Sequence, residues 1–416
     1  MKPINELVVL LDGHVVGELV LSRRDLYFAY DSQWLRYGFP LSPLNMQFGG
    51  APQLADDTDV FAGLHGVFAD SLPDGWGTLL MDRFFLSLGV SKHEITPLDR
   101  LAYMADRGMG ALEYRPVLER EAPEEQLDLA SLYRETQRIY EGETHQTLNA
   151  VRLAGGSPGG ARPKVIVAFS HDFRYCTSAY HDVPSDMGQW LVKFRAPDEH
   201  RDTGAVEFAY SLLAQRARLE MSDCQLLTVG KGSAAERFFA TRRFDRRPDG
   251  KKVHMLTAAA ILYADYRKPV MDYKDHLAAT SIITASAIEV ERMARLMIFN
   301  ALFHNHDDHA KNFAYVRSGS SWVLSPAYDL TYAPLLNFRS DEHTSPFLGR
   351  GLATYQLVRE LCQPYTYLEP DRIIGEVLSA LDEWPTVSAD LGIEKGFRSK
   401  IQKSMNANRR RFEVGV

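Results

Sequence analysis

The sequence predicts an α+β protein, rich in strands through its first part and helical through its last. Three observations carry that expectation. The segment ELVVLLDGHVVGELVLS (6–22) sets two apolar runs around Asp12-Gly13, a pair suited to a tight hairpin turn. The runs KVIVAF (164–169) and QWLVKF (189–194) read as two further strands joined by a hairpin. From about residue 256 the pattern turns helical, most clearly in AIEVERMARLMIFNALF (287–303), where apolar residues recur at three-to-four spacing.

Between these landmarks the chain is read in order. DLYFAYDSQWL (25–35) continues the strand-like composition, and GTLLMDRFFLSLG (77–89) and DLASLYRETQRIYEG (128–142) read as helices. EAPEEQLD (121–128), rich in Pro and Glu, reads as a linker. EFAYSLLAQRARLE (207–220) reads as a helix and RFFATRRFDRR (237–247) as a strand. A chain of 416 residues is too long for one core. The expected parts are an N-terminal module (1–118), a β-rich middle (119–255) and a helical C-terminal lobe (256–416).

Composition narrows the class. The chain is 45% hydrophobic, 24% charged and 11% aromatic, which excludes disorder, collagen and coiled coil as the main architecture. A net charge of −7 argues against non-specific nucleic-acid binding by the chain itself. Cys176, Cys224 and Cys362 are scattered without a CxxC, which fits a reducing compartment. The N-terminus lacks the features of a signal peptide, and no apolar run reaches membrane-spanning length. The cytoplasm is therefore the expected location, with no membrane partner.

One stretch concentrates chemistry. HNHDDHAKNF (304–313) can be read as H-x-H-x-D-H, with His304, His306 and His309 as nitrogen donors and Asp308 as an oxygen ligand for zinc. It can also be a polar loop that caps a helix. In hydrolases that use the zinc string it follows a strand and draws on further ligands downstream; here it follows a long helix, and His343 is the only later histidine.

The third reading gains from its surroundings. Asp307 and Asn312 match D-x4-N, where the carboxylate orients an acceptor hydroxyl and the amide oxygen binds a metal. SPAYDLTYA (325–333) follows with Asp329 in an apolar and aromatic run, where a carboxylate is costly unless it binds something. Lys311 lies on the same loop and could neutralise a transferring phosphoryl group. Upstream, Lys193 sits among apolar residues of a strand, and Glu207 opens a later helix and could pair with it. LAGGSPGGARPK (153–164) is not a Walker A sequence, yet its glycines, with Arg162 and Lys164, could bring backbone N–H groups and charge to phosphates. Ser157 is the one hydroxyl in that loop, and a phosphate there could move it.

With these pieces in hand the sequence resembles the HipA family of serine/threonine kinases, the toxins of bacterial toxin–antitoxin systems. The resemblance runs over nearly the whole chain: SLPDGWGTLLMDR (71–83) and DRLAYMADRGMGALEYRP (99–116) in the N-terminal module, GGSPGGARPK, VKF, RRFDR, DDHAKNF and PAYDL after it. It implies a two-lobed protein-kinase-like fold with a β-containing N-terminal module and a mostly helical C-terminal lobe. It implies ATP and Mg²⁺ as cofactors. Asp307 would be catalytic with Lys311 beside it, and Asn312 and Asp329 would hold the metal. Lys193, Gly156, Ser157, Gly159, Gly160, Arg162, Lys164, Arg243, Phe244 and His309 would line the nucleotide, His309 as an anchor of the loop. Ser157 would be the site of autophosphorylation. His304 and His306 become local hydrogen-bonders, and Asp308 is expected to face solvent. The partners implied are a small DNA-binding antitoxin resembling HipB, with DNA reached only through it, and a protein substrate such as an aminoacyl-tRNA synthetase. A small-molecule phosphotransferase and a non-catalytic antitoxin-binding module remain alternatives, with a zinc hydrolase behind them.

Overall fold

Asp12 and Gly13 both take positive φ (49° and 78°), the left-handed pair that a two-residue primed turn requires. They join β1 (Glu6–Leu11) to β2 (His14–Ser22). β3 (Asp25–Tyr30), β4 (Gln53–Leu54) and β5 (Leu112–Arg115) complete an antiparallel sheet in the order β4-β3-β2-β1-β5. The computed structural model describes all residues except 1, 56–59, 119–126, 141–161, 181–182, 233–234, 335–340 and 414–416. The expected linker around 121–128 and the glycine loop up to residue 161 therefore lie largely outside the described residues.

A second sheet runs through the middle of the chain. It is built from β6 (Lys164–Ser170), β7 (Cys176–Ser178), β8 (Met187–Lys193), β9 (Cys224–Val229) and β10 (Glu236–Arg242), in the order β7-β6-β8-β10-β9. β6 and β8 pair antiparallel, and β7, inserted between them in sequence, takes the outer edge of β6. The helix Thr203–Arg216 packs on β9 and β10 and also on the helices Pro370–Leu381 and Trp384–Asp390. Gly204 permits the approach, because a Cβ there would lie 2.4 Å from the Arg237 carbonyl oxygen. The Tyr210 hydroxyl of the same helix donates to the Phe303 carbonyl at 2.5 Å, tying it to the helical lobe.

The C-terminal part is helical as the sequence predicts, and the helix Ala287–Phe303 has the bounds read from its periodicity. A small sheet departs from that reading: β11 (Met255–Thr257), β12 (Ala314–Ser318) and β13 (Ser321–Leu324) pair antiparallel. β11 is three residues long and finds its partner far along the chain, so no local pattern announces it.

The N-terminal module is packed against both other parts. Its sheet residues Leu7, Val9 and Phe28 belong to one apolar cluster with Tyr210, Phe299 and Trp384. Trp76 and Leu80, from the helix Gly75–Ser87, pack instead with Val165, Val192, Phe194 and Phe238 beneath the second sheet. Gly66 lies so close to the Ala260 carbonyl oxygen that a Cβ would stand 2.3 Å from it. The cleft between the second sheet and the helical lobe is thus walled on a third side by residues from near position 70.

Candidate active site

β8 ends at Lys193, and its register places Lys193 directly across from Lys164 of β6. Like charges directly opposite destabilise a sheet, and both lysines are buried. Burial, and then the Lys193 charge, push the Lys164 ammonium down to about 8. A cross-strand lysine pair at the mouth of a cleft is a place where an anion is favoured. That fits a polyphosphate.

Lys193 has carboxylate partners. Its Nζ donates to Glu207 of the helix Thr203–Arg216 and to Asp329. Burial works against its charge, but Asp329 and Glu207 outweigh burial and raise its pKa. For Asp329 burial is likewise outweighed, by Lys193 and Lys164, and the carboxyl is held well below the usual range. Glu207 also accepts from Arg162 at 2.8 Å, and Arg162 reaches Glu199 at 2.9 Å. The first described residue after the glycine loop is therefore clamped to the same helix as Lys193. Asp329 has φ 57°, a left-handed conformation that non-glycine residues seldom adopt and that clusters at functional sites.

The stretch HNHDDHAKNF begins where the helix Ala287–Phe303 stops. His304 caps it with φ 60°, and the next residues turn back toward the cleft. The two aspartates then separate. The Asp307 side chain is 52% exposed, and that of Asp308 is 0% exposed. The expectation that Asp308 faces solvent is corrected here: it accepts from the Tyr273 hydroxyl (2.6 Å), His343 Nδ1 (2.7 Å) and the Ser345 N–H (3.1 Å). These three contacts fix the loop, and Asp307 lines the cleft instead. Desolvation there, with the Asp329 and Asp308 charges adding to it, raises the Asp307 carboxyl above its ordinary value.

The short 3₁₀ turn Ala310–Asn312 completes the loop. Asn312 Nδ2 donates to the Asp307 carbonyl at 2.6 Å, which leaves Oδ1 as the amide atom for a cation. Lys311 and the half-buried His309 flank it; His309 Nε2 lies 3.9 Å from Asp307 Oδ1, and its ring lies 5.6 Å from that of Tyr266. The donor pair Asp329 and Asn312, both oxygen, suits Mg²⁺.

One cavity is lined by Lys164, Lys193, Asp307, His309, Lys311, Asn312 and Asp329, together with Arg243, Phe244 and Tyr328. The structure thus brings most of the sequence-predicted residues to one place. Glu207 and Arg162 lie behind Lys193. Gly156, Ser157, Gly159 and Gly160 are outside the described residues. Arg243 lines the cavity, but its guanidinium is committed to Asp245 (2.6 Å) and to the Gly108 carbonyl (3.0 Å). Phe244 lies with its ring 5.7 Å from Tyr328. Two acids that the sequence reading missed, Asp70 and Asp74, also line the cavity. The zinc string does not converge: His304 and His306 meet Asp341 at 2.8 and 2.7 Å, while Asp308 and His309 turn elsewhere. Asn408 approaches His304 Nδ1 at 3.2 Å with its Nδ2 while accepting from Arg411, which holds His304 as the Nε2–H tautomer, a donor to Asp341.

Family models and a solved structure match the chain. The family described as the HipA-like C-terminal domain matches residues 156–384, and the HipA N-terminal domain matches residues 7–115. A chain from the Shewanella oneidensis MR-1 toxin–antitoxin complex of HipA, HipB and operator DNA superposes with a TM-score of 0.72 at 18% identity, covering 98% of this chain and 97% of that one. The Sinorhizobium fredii protein Y4dM is 28% identical over 154 residues, and that stretch spans 34% of this chain and 37% of the relative.

Proposed function

The chain belongs to the HipA family, and on that premise we propose that it is an ATP- and Mg²⁺-dependent serine/threonine-protein kinase. The observation that carries the proposal is the buried Lys193, held between Glu207 and Asp329 and facing Asp307 and Asn312 across one cavity. Phosphoryl transfer needs few parts beyond positioning and charge, and this cavity has the residue types for each. The Sinorhizobium relative, provisionally named a kinase, points the same way.

In the proposed reaction Lys193 and Lys164 hold the phosphates, and Arg162 fixes the end of the glycine loop. Asp307 orients the acceptor hydroxyl and takes its proton. The bond from the γ-phosphorus to the bridging oxygen breaks, its electron pair leaves on ADP, and a bond to the acceptor oxygen forms. Lys311 counters the charge of the transferring group. Asn312 and Asp329 would hold Mg²⁺, which supplies neutralisation and alignment of the phosphate oxygens when bound. The proposed acceptor is a cellular protein, with a translation component such as an aminoacyl-tRNA synthetase the first to try, and Ser157 is a second acceptor in the chain itself. A small HipB-like antitoxin is the proposed partner, because the Shewanella counterpart was determined with HipB and operator DNA; DNA would be met through that partner.

The test is intact-mass and peptide analysis after incubation with ATP and Mg²⁺. Wild type should gain a phosphate, or already carry it from expression, and Asp307→Ala should stay unmodified in both. Ser157→Ala should lose the modification. A wild type that carries no phosphate and transfers none to any protein acceptor would refute the kinase.

A further inference from the structure

Asp74 stands at the N-terminus of the helix Gly75–Ser87, where an aspartate ordinarily caps the first free N–H groups. It makes no side-chain cap bond. Its carboxylate instead crosses to the catalytic loop and accepts from Lys311 Nζ at 2.7 Å, a contact between residues 237 apart in sequence. Tyr266 closes the arrangement. Its hydroxyl donates to the same carboxylate oxygen at 2.9 Å, and its ring lies 4.4 Å from the Lys311 ammonium. The Lys311 backbone is held separately, by the Tyr328 hydroxyl at 2.6 Å.

The support beneath Asp74 is firm. Asp70, four residues earlier in the same segment, accepts from the backbone N–H of Thr257 (2.6 Å) and from its hydroxyl (2.8 Å), so the segment is bolted to β11. The Thr78 hydroxyl donates to the Pro73 carbonyl at 2.8 Å and sets the turn into the helix. A local preference for capping is given up so that a carboxylate can meet a lysine of the cleft, which is where functional demands override local ones.

Building on the kinase reading, we propose that Asp74 is a positioning residue for phosphoryl transfer: it holds Lys311 where that ammonium meets the transferring group, so the N-terminal module completes the active site. Lysine has four rotatable bonds and loses much freedom when fixed. A carboxylate and an aromatic face on its two sides supply that fixation before nucleotide arrives. A displacement of about 1 Å at such a group costs on the order of 100-fold in rate.

The experiment measures initial rates of label transfer from γ-labelled ATP to the protein itself and to myelin basic protein, for full-length wild type, Asp74→Asn, Lys311→Gln and the double variant. Asp74→Asn should lower kcat roughly 10- to 100-fold with KM for ATP unchanged, and the double variant should be no slower than Lys311→Gln alone. Thermal melts of each variant give the folded fraction, and rates are taken per folded molecule. Wild-type kcat in Asp74→Asn, or losses that multiply in the double variant, would overturn the positioning role while leaving the kinase standing. A wild type that transfers nothing would overturn both.

Discussion

Asp307 and Asp308 have the same side chain and opposite surroundings. Burial opposes the charge on Asp308, yet His343, Tyr273 and the Ser345 N–H together lower its pKa, so it stays ionised as the anchor of the loop. Asp307 faces the cleft with Asp329 nearby, and its pKa is raised. A base must be unprotonated to take a proton. Transfer should therefore be lost as pH falls through a value above the ordinary carboxylate one of about 3.9. Rate profiles at saturating nucleotide, over the range where the protein stays folded, should show this acid limb; a profile flat down to about pH 4 would contradict the assignment. The spacing to Asn312 singled out Asp307 in the sequence, but the burial of Asp308 could not be read, because nothing in the letters says that Tyr273 and His343 will reach it. The pairing of Lys193 with Glu207 could be read, since a lysine in an apolar strand and an acid on the next helix are both visible locally.

Elements place these residues by close backbone approach. Ala normally favours a helix over Gly by about 1 kcal/mol. At Gly66 the balance reverses, because the added Cβ would meet the Ala260 carbonyl oxygen at 2.3 Å, and neither partner is a flexible side-chain end. Gly66→Ala should lower stability by about 1–3 kcal/mol, read as a drop in the thermal midpoint; an unchanged or higher midpoint would mean that the two segments separate easily. The longer elements were legible in sequence: the Asp12-Gly13 hairpin from its turn pair, and the helix Ala287–Phe303 from its period. β11 was not, since a three-residue strand paired with a distant segment leaves no periodic trace; the β12–β13 hairpin, turning at Gly319-Ser320, was simply not read.

At the scale of the whole molecule, the cleft is a junction of three parts. The second sheet brings Lys164 and Lys193, the helical lobe brings Asp307, Asn312 and Asp329, and the N-terminal module brings Asp70 and Asp74. The RRFDR stretch shows the same convergence. Asp245 binds Arg243, Arg246 and the Gly110 N–H, and both arginines donate to the Gly108 carbonyl, so the side chains of this region grip the N-terminal module. Burial opposes the Asp245 charge, but Arg243 and Arg246 bring its pKa down to about 2. Sequence motifs named the two lobes' contributions because those lie in short strings. The third contribution was hidden, since Asp74 and Lys311 meet only after folding.

The central claim is that this junction transfers phosphoryl groups with Asp307 as its base. The most direct measurement is the initial rate of label transfer from γ-labelled ATP for wild type and Asp307→Asn at neutral pH, alongside nucleotide affinity by titration. The expected result is a fall in rate of at least about 100-fold with affinity retained. Equal rates in the two proteins would contradict it.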